Sequence, residues 1–158
     1  MSLPKLYLET TIPSYLTARR SRDPVLAGQH EATRRWWDDC RADYELCVSQ
    51  FVESEAAQGD PGMAAARIAK LDGVLRLPLT AEALAIADEL IAGGLVPAKA
   101  RVDAAHIGVA TIHRMDYLLT WNCRHIRNPD KLWQIERLCT RLGYECPRIC
   151  TPDDLLER

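Results

Sequence analysis

The sequence predicts an α/β domain, a parallel sheet covered by helices, on three observations. Short apolar strand-like runs alternate with helical stretches from one end of the chain to the other. One late helical stretch is apolar all round in its middle (Ala104, Ala105, Ile107, Gly108, Val109, Ala110), which requires burial against other elements. The helix boundaries are punctuated by capping residues, prolines and glycines in the order a run of β–α units needs.

The elements follow in order. The first strand is residues 6–8, and residues 10–14 turn the chain. Asp23-Pro24 opens a helix, with aspartate as cap and proline at its first position; it carries Trp36 and Trp37, one of them buried, and ends before Tyr44. A second strand over 44–48 leads through Ser49, a candidate cap, into a helix over 51–58. Gly59-Asp60-Pro61 stops that helix and starts another through Leu71. The third strand fits 74–79; Thr80 caps the next helix and Gly93-Gly94 ends it. Pro97 begins the buried helix, which runs to about His113. The fourth strand is 117–120, a helix follows over 129–142, and residues 148–150 make the last strand before a short helix at Thr151-Pro152-Asp153-Asp154. The count is about five strands, in a single domain spanning 1–158.

Composition narrows the function classes. With 158 residues, 47% hydrophobic and 27% charged, the chain has the make-up of one ordinary core. A chain of that size buries roughly 68–70% of its unfolded surface and needs no staple. No apolar run approaches the roughly 20 residues of a membrane span, and the opening MSLPKLYLETT lacks the apolar stretch of a secretory signal, so the expectation is a cytoplasmic protein with no membrane partner. The six cysteines form no C-x-x-C; a zinc site of Cys139, Cys146 and Cys150 is an alternative to the better reading, small buried thiols. The net charge is −2, and only four of the 20 basic residues are lysines, so arginine, the side chain suited to bidentate phosphate contacts, dominates. There is no G-x-x-x-x-G-K, G-x-G-x-x-G or G-x-S-x-G, which removes support for phosphate-cradle and serine-hydrolase readings.

Four polar side chains sit where a parallel sheet puts its ligands, at the carboxyl edge. Glu9 follows the first strand and Asn122 the fourth. In the helix after strand two, Glu55 shares the stripe of Phe51 and Val52, whereas Glu53 lies about 200° from Phe51 at 100° per residue and points away. In the buried helix Asp103, Ile107 and Ala110 fall at i, i+4 and i+7, so Asp103 faces inward. Taken singly, Glu9 fits a solvated strand end, and Glu55 or Asp103 a partner of some arginine. Three carboxylates gathered at one edge repel one another, and a hard divalent cation with oxygen ligands is their natural partner. Among the histidines, His106 is one turn from Asp103, but histidine is expected to contribute little to this site.

Four segments then carry a resemblance: Y-L-E-T-T-I after the opening strand, S-Q-F-V-E-S-E-A-A-Q-G-D-P, V-D-A-A-H-I-G-V-A, and L-L-T-W-N-C-R-H-I. In order and spacing they resemble the successive motifs of PIN domains, and over the whole chain the sequence is similar to VapC-type toxins of bacterial toxin–antitoxin pairs. The resemblance implies a three-layer α/β/α sandwich, a metal-dependent endoribonuclease using Mg²⁺ or Mn²⁺, RNA as substrate, a cognate antitoxin and a homodimer. Its acidic positions fall on Glu9, Glu55 and Asp103, and its fourth on Asn122. Two departures stand out: glutamate where the family commonly has aspartate at the first position, and a neutral amide at the fourth.

On that reading Glu9 and Asp103 ligate the cation, and Glu55 is a ligand or holds a metal-bound water. Asn122 holds a water or the phosphate, and Thr10 fixes Glu9 or donates to a phosphate oxygen. Arg19, Arg20 and Arg22 track the RNA backbone, or are simply a solvated charge run. The competing reading is a PIN-like module that binds RNA or protein and cuts little or not at all, because its fourth position is substituted.

Overall fold

The structure is a computed structural model that describes residues 2–157. Five parallel strands are joined by helices: β1 (Lys5–Leu8), α1 (Thr11–Leu16), α2 (Pro24–Cys40), β2 (Glu45–Val48), α3 (Gln50–Ala56), α4 (Pro61–Lys70), β3 (Leu75–Arg76), α5 (Ala81–Ala92), α6 (Arg101–Ile112), β4 (Tyr117–Leu119), α7 (Leu132–Arg141), β5 (Arg148–Cys150) and α8 (Pro152–Leu156). Single 3₁₀ turns at Arg41–Asp43 and Ala98–Ala100 precede β2 and α6. The sheet order is β3-β2-β1-β4-β5, with Tyr7 paired to both Cys47 and Leu118. This is the predicted α/β/α sandwich with a central parallel sheet of five strands.

The order places β1 at the centre, and the chain leaves it leftward to β2 and β3 before crossing back to β4 and β5. Right-handed crossovers send connections of opposite direction to opposite faces. Accordingly α1, α2, α4 and α8 pack as one group, and α5, α6 and α7 as another. Side chains alternate across a strand, and Leu6, Tyr7 and Leu8 are all buried completely, so β1 is covered on both faces. The point where strand order reverses, between β1 and β4, is where such sheets open a crevice at their carboxyl ends.

Sequence and structure differ locally. Residues 10–14 are not just a turn: α1 continues to Leu16, with Ile12, Pro13 and Leu16 buried, a helix too short to show a period. β3 is only two residues, and α6 and α7 begin at Arg101 and Leu132, later than their prolines suggest, because the backbone first makes a 3₁₀ turn or bends. Asp23, Asp60 and Thr80 cap their helices through their side chains, and Thr151 with Asp154 forms a capping box. Ser49 stands at the start of α3 but makes no side-chain cap bond; its hydroxyl is committed elsewhere.

α6 approaches α5 at Gly108, where a Cβ would stand 2.2 Å from the carbonyl oxygen of Ala83. Backbone cannot yield there as a flexible side chain would. Gly108→Ala is therefore expected to destabilise the fold by about 1–3 kcal/mol or more, the range for overpacking a tight core, read as a lower urea midpoint with an unchanged slope.

Candidate metal centre

Three elements deliver the residues of the site: the end of β1, α3 and α6. Glu9 leaves the end of β1 and is 3% exposed. Its Oε1 accepts from the Thr11 amide (3.1 Å), the Thr11 hydroxyl (2.5 Å) and the Thr120 hydroxyl (2.7 Å). Glu55, half-buried on α3, accepts through its own Oε1 from the Thr10 hydroxyl (2.6 Å) and meets His106 Nε2 at 2.7 Å. The hydrogen bonds described for both glutamates fall on Oε1, which fixes each carboxylate through that oxygen. Asp103, half-buried in the first turn of α6, has the Asn122 side chain near enough to favour its charged form.

The helical phases of α3 and α6 decide who enters. Glu53 points outward and pairs with Arg76 at 3.2 Å, on the surface. Phe51 and Glu55, one turn apart, both meet His106, the Phe51 ring edge-on at a centroid distance of 6.2 Å. Ligand atoms of Glu9, Glu55 and His106 all lie within 4.8 Å of one another. Among the described residues that group is the one of this kind, so Cys139, Cys146 and Cys150 do not assemble a zinc site. All three are free thiols, and Cys139 lies 3.9 Å from the Thr111 hydroxyl.

Two expectations change. Histidine is central here: His106 is wholly buried and touches Glu55 directly. The Asp103-x-x-His106 spacing places both on one helix face, and that was the available signal; the partner lies 51 residues away and gave none. Thr10 does not fix Glu9; it holds Glu55, and the neighbouring Thr11 holds Glu9, because α1 starts there and turns the two hydroxyls to different sides. Asn122 uses its carbonyl oxygen to receive the His125 amide (3.0 Å), and its side chain also acts on Asp103, favouring the charged carboxylate there. Arg19, Arg20 and Arg22 are exposed in the loop between α1 and α2.

Burial governs the electrostatics. It pushes the Glu9 carboxyl up, against the opposing charge of His106 and the Thr11 and Thr120 bonds. It also raises Asp103, with Asn122 and His106 opposing and Glu55 adding a smaller repulsion. At Glu55 burial is outweighed by the hydrogen bond and charge of His106 and by Thr10, and the pKa is lowered. Of these carboxylates Glu9 and Glu55 stand with His106 in a group whose ligand atoms a divalent cation fits, and half-buried Asp103 lies outside that group.

No protein-family model and no curated protein sequence matches the chain. Solved structures do. VapBC2 from Rickettsia felis, solved bound to a DNA fragment from their promoter, matches with a TM-score of 0.57 and 12% identity over 92% of this chain and 97% of that one. Mycobacterium tuberculosis VapC20, a sarcin–ricin loop cleaving toxin, matches with a TM-score of 0.56 and 17% identity over 77% and 92%. FitAcB from Neisseria gonorrhoeae gives 0.55 and 12% over 93% and 97%. At such identities the likeness is one of architecture, and it is nearly end to end: this chain has the PIN-like fold of the VapC-type toxins.

Proposed function

We propose that the protein is a metal-dependent endoribonuclease that hydrolyses RNA phosphodiester bonds, the toxin of a toxin–antitoxin pair. The observation that carries the reading is the gathering of Glu9 and Glu55 with His106 within 4.8 Å, both glutamates held through Oε1, with Asp103 one turn before His106 on α6. Glu9, Glu55 and Asp103 would hold Mg²⁺ or Mn²⁺. A bound cation supplies charge to polarise the scissile phosphate and to acidify an attacking water. The chain's own residues do the rest. Thr10, Thr11 and Thr120 keep the carboxylates from swinging, Asn122 favours the charged form of Asp103, and the low-dielectric walls around Glu9 strengthen every charge interaction inside. Arg19, Arg20 and Arg22 offer phosphate contacts at the exposed approach. The fold shared with VapC20, which cleaves the sarcin–ricin loop, supports RNA as substrate, and the resemblance to paired toxins supports an antitoxin and a homodimer. No helix of the described residues is long and apolar enough to cross a membrane, which fits a cytoplasmic site of action.

The test is Mn²⁺-dependent cleavage of a structured RNA by Glu53→Gln and Glu55→Gln. Glu53 should behave as the parent, and Glu55→Gln should lose about 10²-fold or more, the scale of one preorganised electrostatic contact. Equal loss in both would refute the assignment. Metal-indifferent RNA binding without cleavage would establish the binding-module reading instead.

A further inference from the structure

Behind Glu55 runs a buried polar chain that ligand geometry alone does not call for. His106 Nε2 lies 2.7 Å from Glu55 Oε1, its Nδ1 2.7 Å from the Tyr7 hydroxyl, and that hydroxyl 2.7 Å from Ser49 Oγ. His106, Tyr7 and Ser49 are all 0% exposed. Apolar side chains of similar size would fill this space without the cost of desolvating an imidazole and two hydroxyls. Ser49 even gives up its helix cap to join the chain. Both imidazole nitrogens are engaged, one by the carboxylate and one by the phenol, so neither offers a free lone pair to a cation. The ring is also held from the side, edge-on to Phe51 and to Tyr7.

We propose that His106 is a positioning residue for the metal centre. It anchors Glu55 through Oε1 and so fixes the orientation in which that carboxylate meets the cation, while Tyr7 and Ser49 lock the imidazole in place from the core. The two hydroxyls rotate to donate or accept, so the lock serves either protonation state of the ring. The proposal rests on the metal-dependent reading above, and binding of the metal alone separates the two. Groups that orient a ligand in this way typically change metal affinity by about 10–100-fold when removed.

The experiment is calorimetric titration of Mn²⁺ into the parent, Tyr7→Phe, His106→Leu and His106→Gln, each with a thermal melt, and pulsed electron paramagnetic resonance of the Mn²⁺-loaded parent. Glutamine carries its amide nitrogen as far along the side chain as Nε2 and can still donate to Glu55. The expected order of affinity is parent, then His106→Gln, then His106→Leu about 10–100-fold weaker, with Tyr7→Phe also weakened. The loaded parent should show no ¹⁴N coupling from a directly bound imidazole. Tyr7→Phe and His106→Gln keep the packed volume and carry the test if His106→Leu fails to fold. Parent-like affinity in both of those variants and in any folded His106→Leu overturns the proposal, as does ¹⁴N coupling, which would make His106 a ligand. A parent that binds no Mn²⁺ overturns both the proposal and the metal-dependent reading; a parent that binds Mn²⁺ yet cleaves no RNA overturns the nuclease reading alone.

Discussion

Asp103→Asn is expected to reduce Mn²⁺-dependent RNA cleavage by about 10²–10³-fold, equivalent to about 3–4 kcal/mol of transition-state stabilisation. Asparagine keeps the shape of the side chain and a carbonyl oxygen. What it removes is one negative charge, at a position where burial already makes that charge costly and therefore strongly felt by a cation. Initial rates at saturating Mn²⁺ check the prediction. Cleavage that survives excess EDTA, or that is unchanged in Asp103→Asn, contradicts a metal-dependent mechanism centred on this residue.

The second large effect is on stability. Glu9 is buried, and its folded-state pKa is raised above the unfolded value near 4. The favourable contribution of such a group is complete below the unfolded pKa and is lost as pH rises through the folded pKa, so the metal-free protein carries a penalty at pH 7. Glu9→Gln should remove it and raise the metal-free melting temperature at pH 7, with the advantage vanishing below about pH 4. The amide oxygen can still receive Thr11 and Thr120. In the parent, Mn²⁺ at a hundredfold excess over Kd should stabilise by about 2.7 kcal/mol, a rise of about 5–10 °C for a domain of this length. In Glu9→Gln that rise should shrink to less than half. Melts with and without Mn²⁺ at two pH values measure all of this, and a parent insensitive to Mn²⁺ would count against the site.

The same comparison shows what a sequence can reveal. Helical phase separated Glu55 from Glu53 and turned Asp103 inward, because both helices present one regular face to the core. Strand ends located Glu9 and Asn122 for the same reason: a parallel sheet has one carboxyl edge. The environment of these groups was not legible. Mutual repulsion is the obvious cause of raised pKa values from the sequence, yet burial comes first at Glu9 and Asp103, and Glu55 is shifted the other way by His106. Periodicity reports which way a side chain points within its own helix; it says nothing of the imidazole waiting on another. The exchange of roles between Thr10 and Thr11 was hidden too, since a six-residue helix decides it.

The strand order has a consequence for how the protein comes into being. One of the hydrogen bonds that fix Glu9 reaches across 111 residues to Thr120, and those that fix Glu55 span 45 and 51. Closing such long loops costs entropy that local helices do not repay, so these contacts belong to the slow, cooperative end of folding. A chain growing from its amino end holds no assembled centre until β4 has emerged and docked beside β1. Until then Glu9 lacks its bond from Thr120, and the centre is incomplete.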